Sequence, residues 1–420
     1  MLRRAARFTL AALLWLTVLL CLAAVIVPQF LDRIYYRGGV SDHFDGARFF
    51  NPDGQDTLRP PGSGRGGRAG FLWRQTTGSD DRPEWPESVA VAQATPPARV
   101  EGDAMLATWV GHATVLVQTG GLNILTDPVW SETAGPFGIG PRRATRPGIA
   151  FDRLPRIDLV LVSHNHYDHM DLATLKRLWD RDRPTIVTSL GNDAILQDAG
   201  IPDRNRVTDC FSCTGVDALD WGGWTFVYGP GHAEWEKTRP GDPPAAQVHV
   251  TRNHHWGSRW FSDRNRALWS SFVVKLPSGG NLFFAGDTGF GDGRWPAEAA
   301  RLGPVRLAII PIGAFRFSPG EMGTGSHIGP NEAVKVFDRL GASTALPIHW
   351  GTFRLSYEGY WTPPRLLDVV LRCSGGDAGR FRAHSIGRSF AVPAYTAPTK
   401  RPDEARIAEC SRTPAANALQ

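Results

Sequence analysis

The sequence predicts a mixed α/β domain in which two β-sheets pack together and helices cover their outer faces. Short apolar and β-branched runs outnumber helical segments by more than two to one, and the two kinds are mixed along the chain. Several of these runs end directly in His or Asp. With 420 residues, 42% of them hydrophobic, the chain can bury a large core, which excludes disorder throughout.

Strand-like segments follow one another from about residue 105, each bounded by turn-forming residues. They are LATWV, TVLVQ, LNILTD, IDLVLVS, TIVTS, WTFVYG, QVHV, SSFVVKL, NLFFAGD, RLAIIPIG and TALPIHW. Helical periodicity occurs in LATLKRLWD, GNDAILQDAG, PNEAVKVFDRLG and PPRLLDVVLR. In the third of these helices, Asn331 is a first-turn residue and Gly341 is the stop signal.

Composition divides the chain into four regions. Residues 1–30 are an N-terminal membrane anchor or signal, and residues 31–104 are an arm or linker, rich in Pro, Gly and Arg, that partly packs on the folded domain. Residues 105–393 form that domain, and residues 394–420 form a polar C-terminal tail. One large folded domain is therefore expected.

The apolar stretch from Phe8 to Val27 carries no charge and is long enough, as a helix, to cross about 30 Å of hydrocarbon. A membrane anchor is the first interpretation. A cleaved signal peptide, whose apolar region is usually about 7 to 15 residues, and a buried core helix are the alternatives. Three arginines precede the stretch and two follow it, which favours a cytoplasmic N-terminus and a folded domain outside the cytoplasm, periplasmic in a bacterium.

Charge and cysteine content argue against two other classes of protein. The net charge of +5 is diffuse and comes partly from the arginines around the apolar stretch, so we expect no nucleic-acid partner. Five cysteines are too few and too scattered for a disulfide framework. Cys210 and Cys213 form a local disulfide or are two unrelated thiols, because no second CxxC or nearby histidine pair completes a metal site.

Metal-seeking side chains cluster directly after a predicted buried strand, in SHNHYDHMD. His164 and His166 lie two residues apart, so their side chains point to one side of extended backbone, and Asp168 and His169 follow after a turn. Imidazole and carboxylate suit zinc, and iron or manganese accept the same ligands. Four such groups within six positions predict a metal site rather than separate surface residues.

Further candidate ligands follow other predicted strands. Asp287 comes after NLFFAG and His349 after TALPI, while His254 and His255 follow QVHV. A carboxylate such as Asp287 can bridge two cations about 3.5 to 4 Å apart, the spacing found in two-metal hydrolases. The alternative is a turn role for Asp287 in GDTG, although a buried aspartate without a partner would be costly.

The order of several longer motifs resembles one enzyme family. TWVGHATVLVQ, TDPVWS, GPRR, SHNHYDHMD, HHW, DRNRALW, FAGDTG, IPIGAF and IHWGTF are similar to the N-acyl-phosphatidylethanolamine phospholipase D branch of the metallo-β-lactamase superfamily, whose short signature HxHxDH appears here as HNHYDH. The resemblance covers roughly residues 41 to 370. It implies a four-layer αββα sandwich with the metals at one edge of the two sheets.

The resemblance also implies two zinc ions per chain, held by two groups of ligands that share one aspartate. The implied ligands are His164, His166 and His255 for one ion, Asp168, His169 and His349 for the other, and Asp287 for both. His255 has a rival in His232, because other branches of the superfamily use a PGH turn and this chain has GPGHAEW. Where the family normally has glutamine before this ligand, the chain has His254.

Several other side chains are expected near the site. His327, in TGSHIGPNEA, resembles a family histidine that contacts the substrate phosphate or assists protonation, and a helix-entry histidine is the alternative. Asp127, in LTDPVW, either accepts a hydrogen bond from a ligand imidazole or forms a turn. Trp256 and Trp350 follow ligand positions and are expected to wall the site. Three residues of the matching motifs are expected to be structural: His112, Asp263 and Arg266.

The predicted function is hydrolysis of a phosphodiester. The resemblance implies a phospholipase D that cleaves N-acyl-phosphatidylethanolamine to phosphatidic acid and an N-acylethanolamine, with Asp168, Asp287 and His327 as catalytic residues. A phospholipid substrate and a membrane are the expected partners, and a homodimer is compatible with the sequence. The alternatives are a hydrolase of the same fold acting on a lactone, sugar phosphate or cyclic nucleotide, a di-iron redox protein, and a non-catalytic membrane-tethered scaffold.

Overall fold

The structure is a computed structural model that describes residues 2–54, 82–204, 214–229, 243–260, 262–317 and 325–419. Its strands are β1 (Met105–Gly111), β2 (Thr114–Thr119), β3 (Leu122–Thr126), β4 (Leu159–Val162), β5 (Thr185–Ser189), β6 (Val216–Leu219), β7 (Trp224–Val227), β8 (Ala246–Thr251), β9 (Ser271–Lys275), β10 (Asn281–Phe284), β11 (Val305–Pro311), β12 (Thr344–Ile348) and β13 (Ser389–Ala391). Its helices are α1 (Leu2–Leu31), α2 (Leu172–Asp182), α3 (Asn192–Asp198), α4 (Trp295–Ala300), α5 (Pro330–Leu340), α6 (Thr362–Cys373), α7 (Glu404–Cys410) and α8 (Pro414–Asn417).

The strands form two mixed sheets, as the sequence predicts. The first has the order β13-β1-β2-β3-β4-β5-β6 and the second the order β12-β11-β10-β9-β8-β7. In the first sheet, β3 to β6 run parallel, and in the second, β10 to β12 run parallel. Because β8 and β10 are both antiparallel to β9, β8 runs in the same direction as β10. Each sheet therefore gathers the carboxyl ends of several strands at one edge.

Strand residues are buried on both faces because each sheet lies between two apolar layers. Alternate residues of β1 and β2, such as Trp109 and Val115, join the second sheet in one large core. Their neighbours Val110 and Leu116 belong to a second core with Leu175 and other residues of α2 and α3. The helices α5 and α6 contribute their apolar faces to the large core. The layers are therefore helix, sheet, sheet and helix.

Local sequence patterns predict most, but not all, of these elements. The strand-like and helical runs named above correspond to β1 to β5, β7 to β12, α2, α3, α5 and α6, and Gly341 ends α5 in the left-handed conformation with φ 59°. The sequence analysis missed β6, β13, α4, α7 and α8, each short. A strand of three or four residues leaves too little periodicity to recognise.

The C-terminal residues differ from the polar tail that their composition predicts. Helices α7 and α8 place Ile407 and Ala416 in the large core. A disulfide joins Cys373, at the end of α6, to Cys410, at the end of α7. The sequence analysis did not anticipate this single disulfide, because folding brings together two residues 37 positions apart. Cys210 and Cys213 lie outside the described residues.

Helix α1 contains the apolar stretch that the sequence analysis singles out. Its window from Arg7 to Val27 is long and apolar enough to cross a membrane, and none of it is buried against the rest of the protein. This exposure contradicts the core-helix alternative and leaves an anchor or a signal sequence. Directly after the helix, the chain packs on the catalytic domain, where Phe44 and Phe49 form a small core with Leu268 and Trp269.

Candidate metal centre

The HNHYDH motif lies in the loop that joins the end of β4 to α2. A tight turn forms within it, because the backbone N–H of His169 and of Met170 both donate to the carbonyl of His166, at 3.1 and 2.8 Å. Asp171 caps α2 by accepting from the backbone N–H of Thr174. The turn brings Asp168 and His169 beside the two histidines that precede them.

Other strand ends deliver the remaining candidate ligands to the same edge. Asp287 follows β10, His255 follows β8 and His349 follows β12. Gly286, with φ 61°, permits the approach of the β10 end to β4, since a Cβ there would lie 2.5 Å from the Cβ of Ser163. The predicted ligands from separate parts of the chain are thus brought together.

Three imidazoles form what we call the first group: His164, His166 and His255. Their nearest ring nitrogens all lie within 4.8 Å of one another. The ring centroids of His164 and His166 are 4.4 Å apart, and that of His255 is 4.6 Å from His164. This is an arrangement that could hold one metal ion.

The second group contains Asp168, His169 and His349, together with His112. These side chains also offer ligand atoms within 4.8 Å of one another. Asp287 contacts this group through Oδ2, which lies 3.1 Å from Nε2 of His169 and 3.0 Å from Nε2 of His349. Asp287 also forms a cluster with His255 and His327, so its carboxylate lies between the two groups as expected of a bridging ligand.

Several of the candidate ligand atoms are buried and make no hydrogen bond within the part of the chain that the structure describes. Among the described residues, no hydrogen-bond partner exists for Nε2 of His166, His169, His255 and His349, or for Oδ1 of Asp287. Buried polar atoms are normally hydrogen-bonded, because an unsatisfied group keeps its full desolvation penalty. Convergent, unsatisfied nitrogen and carboxylate atoms are what a divalent cation requires, so the residues fit the metal that the motif predicts.

Outer partners fix which nitrogen of a ligand ring faces the centre. Nδ1 of His169 donates to Oδ2 of Asp127 at 2.6 Å, so its Nε2 is left for a metal. Asp127 is fully buried and is held by Ser163, whose Oγ donates to it at 2.6 Å. This geometry supports the hydrogen-bonding interpretation of Asp127 over the turn. Nδ1 of His255 similarly donates to the carbonyl of Ser326 at 2.7 Å.

Three residues at this edge have strained backbone conformations. Asp127, His112 and His349 have φ values of 29°, 52° and 65°, in the left-handed region that residues with a Cβ rarely adopt. Such conformations persist where the surrounding structure enforces them, and they cluster at functional sites. Here they turn three polar side chains towards the same point.

Burial dominates the electrostatics of the first group. It lowers the pKa of His164 and His255 well below the ordinary value, and it lowers the pKa of His166 to about 3. All three rings are therefore neutral at pH 7. A neutral imidazole has the free lone pair that a metal ligand needs.

Carboxylates dominate the electrostatics of the second group. Burial acts to lower the pKa of His349, but Asp287 and Asp168 outweigh it and raise that pKa to about 9. Burial acts to raise the pKa of Asp287, and the charges of His169 and His349 outweigh it and hold that pKa well below the ordinary value. The second group is thus a dense cluster of opposite charges.

The remaining sequence-predicted residues have different placements. His327 lies 3.6 Å from Asp287, between Nδ1 and Oδ2. The ring of Trp256 packs edge-on against His166, with centroids 4.1 Å apart, as a wall residue would. Trp350 does not wall the site, because it packs on Trp109 in the large core. The rival ligand His232 lies outside the described residues.

His254 connects the site to the N-terminal arm rather than to a ligand group. Its Nδ1 donates to Oδ1 of Asp53 at 2.9 Å, and both side chains are buried. Asn51 donates to the carbonyl of His255 at 2.8 Å. Sequence reasoning missed these two arm residues, because no local pattern links positions about 200 residues apart.

His112 was expected to be structural, but it belongs to the second group. Its Nε2 lies 2.9 Å from Oδ2 of Asp168, and its carbonyl accepts from the backbone N–H of His349 at 3.1 Å. A signal for it existed in the sequence, since His112 directly follows a predicted strand just as the other candidates do. Asp263 is structural as expected, because it accepts hydrogen bonds from Tyr35 and from the backbone of Arg259.

Comparison with known proteins agrees with this geometry. A family model described as "Beta-lactamase superfamily domain" matches residues 122–350. N-acyl-phosphatidylethanolamine-hydrolyzing phospholipase D 1 of Caenorhabditis elegans is 35% identical over 266 residues, which cover 62% of this chain and 68% of the relative. The mitochondrial N-acyl-phosphatidylethanolamine-hydrolyzing phospholipase D of Saccharomyces cerevisiae is 30% identical over 270 residues, covering 64% and 52%.

The name of a third relative gives its reaction type, metal-dependent hydrolysis, but no substrate. A UPF0173 metal-dependent hydrolase of Nitratidesulfovibrio vulgaris is 29% identical over 248 residues, covering 59% of this chain and 80% of the relative. The matched region contains the HxHxDH loop and the strand ends that carry Asp127, His255, Asp287 and His349. The chain therefore belongs to the metallo-β-lactamase superfamily, as a metal-dependent hydrolase that resembles the N-acyl-phosphatidylethanolamine phospholipase D branch.

Proposed function

We propose that this chain is a membrane-associated dinuclear phospholipase D that hydrolyses N-acyl-phosphatidylethanolamine-like phosphodiesters. The products are phosphatidic acid and an N-acylethanolamine. Zinc is the proposed metal because imidazole and carboxylate are its usual ligands, and iron or manganese accept the same set. The relatives from Caenorhabditis elegans and Saccharomyces cerevisiae support the substrate class by their names.

One observation carries the proposal: two groups of buried side chains converge, and Asp287 lies between them. We assign His164, His166 and His255 to one cation and Asp168, His169 and His349 to the other. Two divalent cations held there would supply Lewis-acid stabilisation of phosphate charge and activation of water at neutral pH. A phosphodiester is a suitable substrate, because negative charge grows on its non-bridging oxygens during displacement.

The protein's own groups keep this centre in a single arrangement. Asp127 holds the proton of His169 on Nδ1, and the carbonyl of Ser326 does the same for His255. His112 holds Asp168 through a 2.9 Å contact. These contacts preorganise the ligand atoms, so that little rearrangement is needed when the substrate binds.

His327 is proposed to contact the phosphate. Its side chain lies beside Asp287 and His255, and Nδ1 has no hydrogen-bond partner among the described residues. Burial lowers its pKa to about 4, so the ring is neutral at pH 7 and offers an N–H hydrogen bond rather than a charge. In the reaction, a water oxygen bonds to phosphorus, the bond from phosphorus to the ethanolamine oxygen breaks, and that oxygen takes up a proton.

The proposed location is a membrane, with the catalytic domain outside the cytoplasm. Helix α1 supports the anchor by its length and apolarity. The disulfide between Cys373 and Cys410 supports an oxidising compartment independently, because disulfides persist in the periplasm and outside cells and are rare in the cytosol. An anchored domain would meet phospholipids at the membrane surface, and a homodimer remains a compatible state.

The test combines metal analysis with a substrate panel. The purified full chain is analysed for zinc, iron and manganese, then assayed with and without chelator on N-acyl-phosphatidylethanolamine, phosphatidylcholine, a soluble phosphodiester, a lactone, a sugar phosphate and a cyclic nucleotide. We expect about two metal ions per chain and chelator-sensitive release of N-acylethanolamine. In ¹⁸O-labelled water, the label should enter phosphatidic acid only.

Each contrary result identifies what is wrong. Chelator-resistant activity would refute the metal mechanism, and label in the N-acylethanolamine would refute attack at phosphorus. Cleavage of the lactone, sugar phosphate or cyclic nucleotide with intact phospholipids would replace the substrate class. A chain that binds metal but cleaves nothing in the panel would favour the scaffold.

A further inference from the structure

Two strongly exposed apolar side chains lie on the segment between β3 and β4. Phe137 is 84% exposed and Ile139 is 70% exposed. We call residues 134–141 the apolar loop. Its base is closed by a hydrogen bond from the backbone N–H of Ala134 to the carbonyl of Pro141, at 3.0 Å. The loop is therefore a defined projection whose tip presents apolar area to its surroundings, as membrane and protein contact sites do.

The chain directly after α1 marks the level of the membrane surface. The apolar window ends at Val27, and the helix continues to Leu31, about 6 Å further along its axis and two residues before Arg33. Arg33 therefore lies at headgroup depth when α1 spans a bilayer, where arginine interacts well with lipid phosphates. Residues that contact Arg33 therefore lie close to the membrane surface.

The domain is fixed to this segment by specific contacts. The side chains of Arg48 and Arg266 both pair with Asp32. The guanidinium of Arg33 lies 4.6 Å from the ring centroid of Trp260, a cation–π contact. Because these bonds begin one residue after α1, the part of the domain around them is held at the membrane surface.

The apolar loop belongs to that part of the domain. Phe137, Arg33 and Trp260 line one cavity of about 300 Å³, and Tyr167 of the HNHYDH motif lines it as well. Arg37, which lines a neighbouring cavity that also includes Arg33, and Arg142, which follows the base of the loop, add exposed positive charge. Asp198 is the acidic residue of the first cavity's lining. Exposed apolar tips flanked by arginines suit the interface of a phospholipid bilayer.

We propose that the apolar loop is a second membrane contact, in which Phe137 and Ile139 enter the bilayer interface beside α1. The occupant of this surface is the phospholipid bilayer. Two contacts fix the tilt of the domain, which one helix alone does not. They place the cavity lined by Tyr167 against the lipid surface, one residue from the proposed ligands His166 and Asp168. A lipid phosphodiester can then approach the metal centre without leaving the membrane.

Photocrosslinking tests the contact directly. A photoreactive benzophenone side chain replaces Phe137 in the full chain, reconstituted at one copy per nanodisc with a tagged phospholipid. Glu101 is the matched control position, because it is exposed and lies beside the β2–β3 turn, at the opposite end of the first sheet from the site. We expect lipid adducts at 137 at least about tenfold above those at 101, as an apolar side chain buried in lipid would give.

Other outcomes overturn the proposal. Equal lipid labelling at 137 and 101 would show that the loop stays in water. Protein dimers crosslinked through position 137 at two copies per disc, with no lipid adduct at one copy, would assign the surface to a second copy of this chain. Loss of α1 from the mature protein, visible as a reduced intact mass, would remove the anchor on which the inference rests.

A kinetic comparison separates this inference from the proposed function. The double variant Phe137→Asp with Ile139→Asp should lower the rate on vesicle phospholipid by about tenfold and leave the rate on a soluble phosphodiester unchanged. Unchanged rates on both substrates would overturn the proposal. If the wild type cleaves no phospholipid, the proposed function fails, yet the crosslinking result still decides whether the loop contacts the bilayer.

Discussion

The two ligand groups of the metal centre differ in charge although they lie side by side. In the first group, burial is the largest influence on the three imidazoles and lowers their pKa values well below the ordinary value, so all three rings are neutral at pH 7. In the second group, burial acts in the same direction on His169, but Asp287, Asp168 and Asp127 outweigh it and raise its pKa well above the ordinary value. The first group therefore offers a metal ion only neutral nitrogen ligands, whereas the second group also offers a negatively charged carboxylate.

This difference predicts unequal affinity for the two cations. Ligand charge increases the affinity of a site for a divalent cation, because each carboxylate neutralises part of the metal's charge in a buried environment. The second group, with Asp168, should therefore hold its cation more tightly than the first. Asp287 lies between the groups, so its loss should affect both.

The largest effect is expected for Asp287→Asn. The amide cannot bridge two cations as a carboxylate does, so we expect loss of bound metal and a fall in kcat of more than about 10³-fold. Metal content by elemental analysis and turnover of the phosphodiester substrate measure the two effects. Asp292→Asn is the matched control, because Asp292 is an exposed carboxylate on the same segment that pairs with Arg252. Full metal content and turnover in the Asp287 variant would end the bridging assignment.

A smaller and more selective effect is expected for His166→Ala. This change removes one ligand of the first group and no carboxylate, so the weaker cation should be lost while the tighter one remains. Activity should fall by about 10² to 10³-fold, since the transition state loses one source of charge stabilisation. Chelator titration of the wild type should show the same order, with two separate steps of metal release. Simultaneous release of both ions in the wild type would contradict the comparison.

Asp127→Asn should weaken the second group without touching the first. Asparagine keeps the size of the side chain but accepts a weaker hydrogen bond from Nδ1 of His169. Loss of such an outer partner typically costs about 10 to 100-fold in metal affinity. In the chelator titration, the tightly bound cation of the second group should therefore be released at a lower chelator concentration than in the wild type. Release of the weakly bound cation of the first group should not change. If release of the first group's cation changed instead, Asp127 would have to be assigned to the first group.

Residues that lie close together in sequence were the predictable part of this centre. The spacing of His164, His166, Asp168 and His169 after a buried strand predicts a metal loop by itself, and the same rule applied to other strand ends finds Asp287 and His349. Parallel strands then bring these ends together, so the fold class and the site support each other.

Contacts between distant segments could not be predicted, because local periodicity carries no information about them. His112 meets Asp168 across 56 positions, and Asn51 meets the backbone of His255 across 204. Their partners are set by how the sheets and the arm pack, not by residue spacing. The short elements β6, β13 and α4 were missed for a related reason, since tertiary contacts rather than propensity stabilise such short segments.

The smallest effect on the metal centre is expected for Cys373→Ser. The disulfide ties α7 to α6 on the outer helical layer, away from both ligand groups. Its loss should lower the free energy of unfolding by about 2 to 5 kcal/mol, because the unfolded chain gains freedom. Metal content, the two chelator steps and turnover per folded molecule should stay at wild-type values. Cys21→Ser, which removes a free cysteine of α1, is the matched control and should leave stability unchanged. A changed chelator step in the Cys373 variant would show that the outer helices help to set the difference between the two groups.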